Sequence, residues 1–272
     1  MAFSFEGREA ILCLGDSITE QGWGKKGGLG WLQQLADAYG RRADVLNRGF
    51  GGYTTRTLLP IALPLLASRA TSQPPYLLVT VFLGANDANS QAEQHVPIEE
   101  YRARLCGLLA AAARVARCVV CIGPGPVDNR RWPTRSNAAV AAYNDAAFAA
   151  SASAREAVPG TPILFSSLLA EATGTPSGPS HARVVEGSDI PPTNKLPVPW
   201  LDFLSDGLHL SSNGNAALAS LLLRVLQEQC PSVAPAALPW DFPPWNQIPV
   251  DERDAASASF TQEALLAFRK AP

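Results

Sequence analysis

Ile11-Leu12-Cys13-Leu14-Gly15-Asp16-Ser17-Ile18-Thr19-Glu20 is the stretch whose reading decides the fold. An apolar run stops abruptly at Gly-Asp-Ser, and charged and glycine-rich sequence follows. A buried strand ending in a tight turn would hold Ser17 at the carboxyl edge of a sheet, where open α/β folds place their chemistry. A serine so placed is a candidate nucleophile. It needs a base, an acid to orient that base, and donors for an oxyanion.

Outward from this stretch, short β-branched or leucine-rich runs alternate with longer helical patterns. Strands are expected at 9–14, 44–47, 76–83, 118–122 and 162–165. Helices are expected at 29–39, 55–69, 97–116, 136–154 and 213–229, the second of them interrupted by Pro60 and Pro64. Ile98, Tyr101, Leu105, Leu108, Ala112 and Val115 recur at three- and four-residue steps and form one apolar stripe. Such alternation predicts a parallel sheet of about five strands with right-handed crossovers and helices on both faces, a three-layer α/β/α fold.

Two segments fall outside the pattern. Residues 173–199 are rich in Pro, Gly, Ser and Thr and read as a long excursion. Residues 231–272 form a Pro/Trp-rich extension after a main domain at 1–230, with a small helical pattern near 261–268. The aromatic extension packs either on its own domain or on a neighbouring copy, which would make a homodimer.

The chain has 272 residues, a formal net charge of -2 and no long Lys/Arg block, so nothing favours a nucleic-acid partner. No stretch approaches the ~18 uninterrupted apolar residues of a membrane span. The N-terminus has no basic start followed by an apolar core, so a cytoplasmic protein is expected. Five cysteines read as reduced, partly buried thiols. Cys118 and Cys121 have C-x-x-C spacing, but on a strand they face opposite sides and are poorly placed to share a metal or a disulfide. Gly22-Trp-Gly24-Lys-Lys-Gly27 spells G-x-G-x-x-G, yet it does not occupy the turn directly after the first strand, as a dinucleotide fingerprint must.

Of the three histidines, His95, His181 and His209, the last follows Asp206 by three residues across Gly207 and precedes the final helix. An Asp folding back onto the ring of a following His supplies the orienting half of a triad. The same spacing also describes a plain helix-entry turn, with Ser211 or Ser212 capping the helix. Oxyanion donors are sought at the same sheet edge: the backbone of Gly52 after the second strand, the amide of Asn86 after the third, and the Ser17 N–H. Taken singly, the glycines are ordinary turn residues and Asn86-Asp87 an ordinary cap. Together the four patches each supply one missing role.

Gly15-Asp16-Ser17-Ile18, Gly52 within Gly49-Phe50-Gly51-Gly52, Gly84-Ala85-Asn86-Asp87 and Asp206-Gly207-Leu208-His209 resemble, in order, the four sequence blocks of the SGNH (GDSL-type) hydrolases. The surrounding wording is similar to the isoamyl acetate-hydrolysing esterase subgroup. The resemblance implies a flavodoxin-like fold, no metal or organic cofactor, Ser17 as nucleophile, His209 as base and Asp206 as its orienting acid. It also implies an oxyanion hole of Ser17, Gly52 and Asn86. Gly51 stands where the subgroup leads one to expect Ser, and Thr54 where it leads one to expect Asn. The expected activity is hydrolysis of small carboxylic esters, acetyl or short-chain acyl, through an acyl-serine intermediate. Deacetylation of O-acetyl sugars and thioester cleavage would use the same site, and a scaffold binding a partner through its aromatic tail is the reading of a different class.

Overall fold

Ala10–Gly15 (β1) is buried at every position, and its side chains divide by period two: Ile11 and Cys13 join one hydrophobic cluster, Leu12 and Leu14 the other. A strand covered on both faces belongs in the middle of a sheet, and β1 lies between Asp44–Gly49 (β2) and Leu78–Phe82 (β3). Val119–Gly123 (β4) and Ile163–Ser167 (β5) complete the sheet. This computed structural model describes residues 8–24, 28–173, 199–241 and 244–245. Excursion residues 174–198, including His181, the C-terminal helical pattern at 261–268 and residues 25–27 of the glycine motif lie outside the described residues.

All strand pairs are parallel, in the order β2-β1-β3-β4-β5. This flavodoxin-like order reverses direction between β1 and β3, and open α/β sheets bind ligands at that switch point. The register makes the switch point flush: Gly15 pairs with Gly49 on one side and with Phe82 on the other. The loops after β1, β2 and β3 therefore leave the sheet at one level.

On one face, Trp31–Ala38 (α2) and Ser212–Gln229 (α7) pack on each other, α2 also against β2 and α7 against Leu168–Thr173 (α6) and β5. Thr55–Ser72 (α3), Ile98–Ala113 (α4) and Asn137–Ala157 (α5) cover the other face. The result is a three-layer α/β/α fold. The α4 stripe is as expected, with Tyr101, Leu105, Leu108 and Ala112 buried and Val115 buried just beyond the helix. Cys118 belongs to the cluster under α7 and Cys121 to the cluster under α5, on opposite faces of the sheet.

One expectation is corrected. α3 runs unbroken from Thr55 to Ser72 with Pro60 and Pro64 inside it. Each proline removes one backbone N–H and crowds the carbonyl four residues before it. Both lie on the exposed side of the helix, where water can hydrate the released carbonyls, while Leu58, Ala62 and Leu66 anchor the opposite side in the core.

The extension to residue 241 lies along the end of α2. Val233 is buried and its carbonyl accepts from the Tyr39 hydroxyl at 2.7 Å. Arg42 donates to the Leu238 carbonyl at 3.1 Å, and the Arg41 guanidinium stands 4.6 Å from the Trp240 ring centre. Asp241 pairs with Arg8 at 2.6 Å. Among the described residues, no helix is long and apolar enough to cross a membrane.

Candidate active site

The turn after β1 is built by Asp16. Its buried side chain accepts the Ile18 N–H at 2.9 Å and caps the short helix Ser17–Glu20 (α1), which places Ser17 first in that helix and half-buried. Burial pushes the Asp16 carboxyl up to about 7; the Ile18 N–H opposes that shift, buried Asp87 adds to it, and the nearby Arg135 charge opposes it again.

Ser17 Oγ lies 2.9 Å from His209 Nε2, and His209 Nδ1 lies 2.7 Å from Asp206 Oδ2. The other Asp206 oxygen accepts the backbone N–H groups of Leu208 at 3.0 Å and of His209 itself at 2.9 Å. Partial burial works against the Asp206 charge, but these N–H bonds and the ring bond outweigh it and hold the carboxyl below its ordinary range. The Asp206–His209 loop is a small closed unit. Leu204 bridges Leu210, and Ser205 N–H donates to the His209 carbonyl at 2.8 Å. Its outer backbone is held from the β4–α5 loop: Trp132 Nε1 donates to the Asp206 carbonyl at 3.1 Å, and Asp128 N–H to the Gly207 carbonyl at 2.8 Å. The alternative helix-entry reading is also realised, since Ser211 caps α7 by accepting the Gly214 N–H at 3.2 Å. Asp206 orients the ring and caps the turn with different oxygens.

After β2 the chain makes a four-residue turn, closed by Tyr53 N–H on the Phe50 carbonyl at 3.2 Å, with Gly52 at φ 78° in its third position. That left-handed value is what a type II turn demands there, and glycine meets it without strain. The turn is tied on three sides. Gly51 N–H donates to the Glu20 carboxylate, Gln94 Nε2 donates to the Gly52 carbonyl at 3.1 Å, and Asn86 Nδ2 donates to the Tyr53 carbonyl at 2.9 Å. Asn86, buried after β3, receives Arg135 Nη2 on its Oδ1 at 2.9 Å. Its neighbour Asp87 is also buried and accepts both the backbone N–H and the hydroxyl of Thr55, at 2.9 and 2.6 Å, so it caps α3 across the switch point. Burial raises the Asp87 carboxyl, partly offset by the Thr55 bonds.

The structure thus brings Ser17, His209 and Asp206 into one hydrogen-bonded chain and sets Gly52 and Asn86 on loops of the same sheet edge. His95 is elsewhere, with Nδ1 3.0 Å from the Asn89 carbonyl. A hydroxyl bonded to an imidazole that is itself bonded to a carboxylate can be deprotonated as it attacks a carbonyl. Sequence reasoning did not single out Gln94, Asp128, Trp132 and Arg135. Their one sequence signal is position, in the loops that follow β3 and β4, because every such loop opens at the carboxyl edge. A cavity of about 470 Å³ adjoins Asp206, with Ile18, Leu29 and Leu210 among its apolar walls and Ser205 and Asn215 among its polar ones. Among the described residues, no group of three or more His, Cys, Asp or Glu side chains could hold a metal ion.

Residues 13–217 match the GDSL-like lipase/acylhydrolase family. A GDSL esterase/lipase of Arabidopsis thaliana is 33% identical over 248 residues, which span 89% of this chain and 94% of the relative. An isoamyl acetate-hydrolyzing esterase 1 homolog of Mus musculus is 32% identical over 254 residues, spanning 88% and 87%. Among solved structures, an acetylxylan esterase from Geobacillus stearothermophilus shares the fold with a TM-score of 0.55 at 21% identity, covering 82% of this chain and 95% of that one. With a family match over most of its length and relatives aligned nearly end to end, the chain belongs to the GDSL-like lipase/acylhydrolase family.

Proposed function

We propose that this ester-bond hydrolase is a serine carboxylic-ester hydrolase that cleaves small esters, acetyl or short-chain acyl on a small apolar alcohol, through an acyl-serine intermediate. The observation that carries the reading is the chain from Ser17 Oγ through His209 to Asp206, at 2.9 and 2.7 Å. His209 Nε2 takes the Ser17 proton as Oγ attacks the ester carbonyl, and Asp206 stabilises the imidazolium so formed. His209 then returns the proton to the departing alcohol, and a water repeats the sequence to release the acid. The N–H groups of Ser17 and Gly52 and the amide of Asn86 receive the oxyanion of each tetrahedral intermediate. The aligned isoamyl acetate-hydrolyzing relatives favour a short acyl chain on a small apolar alcohol.

The test is hydrolysis of nitrophenyl acetate, butyrate and octanoate by the parent protein and by Ser17→Ala. Turnover is expected to fall on the order of 10⁴–10⁶ in the variant, with acetate the best parent substrate. Equal activity in parent and variant would discard Ser17 as nucleophile. Faster turnover of acyl thioesters or sugar acetates than of acetate esters would move the substrate class while keeping the mechanism.

A further inference from the structure

We propose that Gln94 and Arg135 are positioning residues that together brace two of the oxyanion donors, the Gly52 turn and the Asn86 amide. The inference rests on the ester-hydrolase reading of this site.

Arg135 ends the β4–α5 loop, two residues before α5, with only 6% of its surface exposed. Its guanidinium donates to three neutral acceptors: the Ala85 carbonyl, Asn86 Oδ1 at 2.9 Å and Gln94 Oε1 at 3.2 Å. Burial costs the charged form and draws its pKa down, a shift that the nearby Asp16 carboxyl only partly opposes. A buried cation held on neutral acceptors is a poor way to fill a core, since an apolar side chain of similar volume would do so at lower free-energy cost. What the cation achieves here is orientation.

A carboxamide has two faces that look alike in shape and opposite in chemistry, an accepting oxygen and a donating NH₂. With Oδ1 of Asn86 taken by Arg135, its NH₂ must face the other way. One N–H reaches the Tyr53 carbonyl and the second remains for the site. A flipped amide would set NH₂ against guanidinium and turn an oxygen toward the developing oxyanion. Arg135 forbids that flip. The same logic repeats at Gln94. Its Oε1 accepts from Arg135 and from Asn89 Nδ2 at 2.8 Å, so its NH₂ is committed to the Gly52 carbonyl. One guanidinium therefore sets the sense of two amides. Through them it braces the Gly52 turn, which is also held by Glu20, by the Phe50 N–H on the Gly15 carbonyl at 3.0 Å and by its own closing bond.

The experiment measures kcat and KM separately on nitrophenyl acetate for the parent, Asn86→Ala, Gln94→Ala, Arg135→Met, Arg135→Lys and the double variant Arg135→Met/Asn86→Ala, each with a thermal melt. Asn86→Ala is expected to lower kcat by ~10²–10³, as loss of one oxyanion donor does. Arg135→Met should lower kcat at least ~10-fold with KM within about twofold, because a misoriented donor affects the transition state and not ground-state binding. Arg135→Lys, which keeps one cationic donor, should recover part of that loss. Gln94→Ala should lower kcat about fivefold or more with an unchanged melt, since this side chain is only half-buried. The double variant should fall below Asn86→Ala by no more than the loss that Gln94→Ala shows alone, because only the Gly52 arm of the brace is left to lose. If Asn86→Ala is impaired while Gln94→Ala and Arg135→Met keep parent kcat, the brace is overturned and the oxyanion hole stands. Full multiplication of the two losses in the double variant overturns it equally. Parent-like turnover of Asn86→Ala removes the oxyanion reading, and the brace with it. Should Arg135→Met not fold, Gln94→Ala decides by the same criterion.

Discussion

Asp206→Asn separates the two jobs of Asp206. The asparagine oxygen can take the place of Oδ1 and go on accepting the Leu208 and His209 N–H groups, now at 3.0 and 2.9 Å, so the loop keeps its shape. The NH₂ then stands where Oδ2 was, 2.7 Å from His209 Nδ1. A donor there obliges Nδ1 to accept, which moves the ring proton to Nε2, pointing at Ser17 Oγ 2.9 Å away. Nε2 can no longer take the serine proton, and the imidazolium loses its counter-charge. The expected loss is ~10⁴ in kcat, or about 5.5 kcal/mol of transition-state stabilisation, with KM within about twofold. The assay is nitrophenyl acetate hydrolysis at pH 8, with near-UV circular dichroism to show that the variant is folded. Because Asp206 is held below its ordinary range, it contributes stability that is present above the usual carboxylate pKa of about 3.9 and lost as pH falls through its lower folded value. The stability gap between parent and variant should therefore close in acid. A folded variant retaining more than about a tenth of parent turnover would refute the reasoning.

Asp16 has the opposite linkage. A carboxyl raised to about 7 by burial makes the native state bind its proton more tightly than the unfolded chain, so its contribution to stability falls as pH rises from about 4 to about 7. Asp16→Asn, which can keep the Ile18 cap, should be more stable than the parent at pH 8 by on the order of a few kcal/mol and similar to it near pH 4. Urea melts at both values check this, and identical pH slopes would count against it. Gly207→Ala sets a side chain at φ 92° and its Cβ 3.1 Å from the side chains of Arg131 and Asp128. A loss of ~1–3 kcal/mol and a displaced His209, seen as a lower melting temperature and lower kcat, are expected; parent values in both would show that the loop tolerates the change. Finally, Cys13, Cys118, Cys121 and Cys230 are buried and Cys106 is half-buried, with burial pushing Cys13 and Cys121 up to about 12. A disulfide reagent should titrate one thiol in the native protein and all five after denaturation, and rapid reaction of more than one would contradict the packing.

The layered α/β architecture was legible in the chain because its signals are local, whereas the grouping of Ser17 with Asp206 and His209 was implied by the four-block resemblance. β1, β3 and β4 are runs too apolar to lie anywhere but between two layers, and α4 and α7 repeat their leucines and alanines at helical steps. The Asp206–His209 pair spans three residues across a glycine, so its mutual contact is a property of the loop itself. Element ends were less legible. β1 and β5 each run past their expected ends, to Gly15 and Ser167, because parallel pairing with neighbours continues beyond the last apolar residue. The course of α3 through two prolines was set by which side of the helix the core covers.

What the sequence by itself determined is the set of candidate groups: Ser17 after one strand, Asn86 after another, Asp206 and His209 before the last helix. Tertiary structure alone decided how those groups are aimed. Arg135 lies 49 residues from Asn86, and Trp132 lies 74 from Asp206. No periodicity or motif links positions so far apart. They meet because the strand order β2-β1-β3-β4-β5 places the loop after β4 beside the loop after β3, and parallel pairing brings both to the same edge. The orientation of a carboxamide or the clamp on a turn depends on donors from other loops, and only a folded sheet brings those donors into hydrogen-bonding distance, 2.9 Å for Arg135 on Asn86 and 3.1 Å for Trp132 on Asp206.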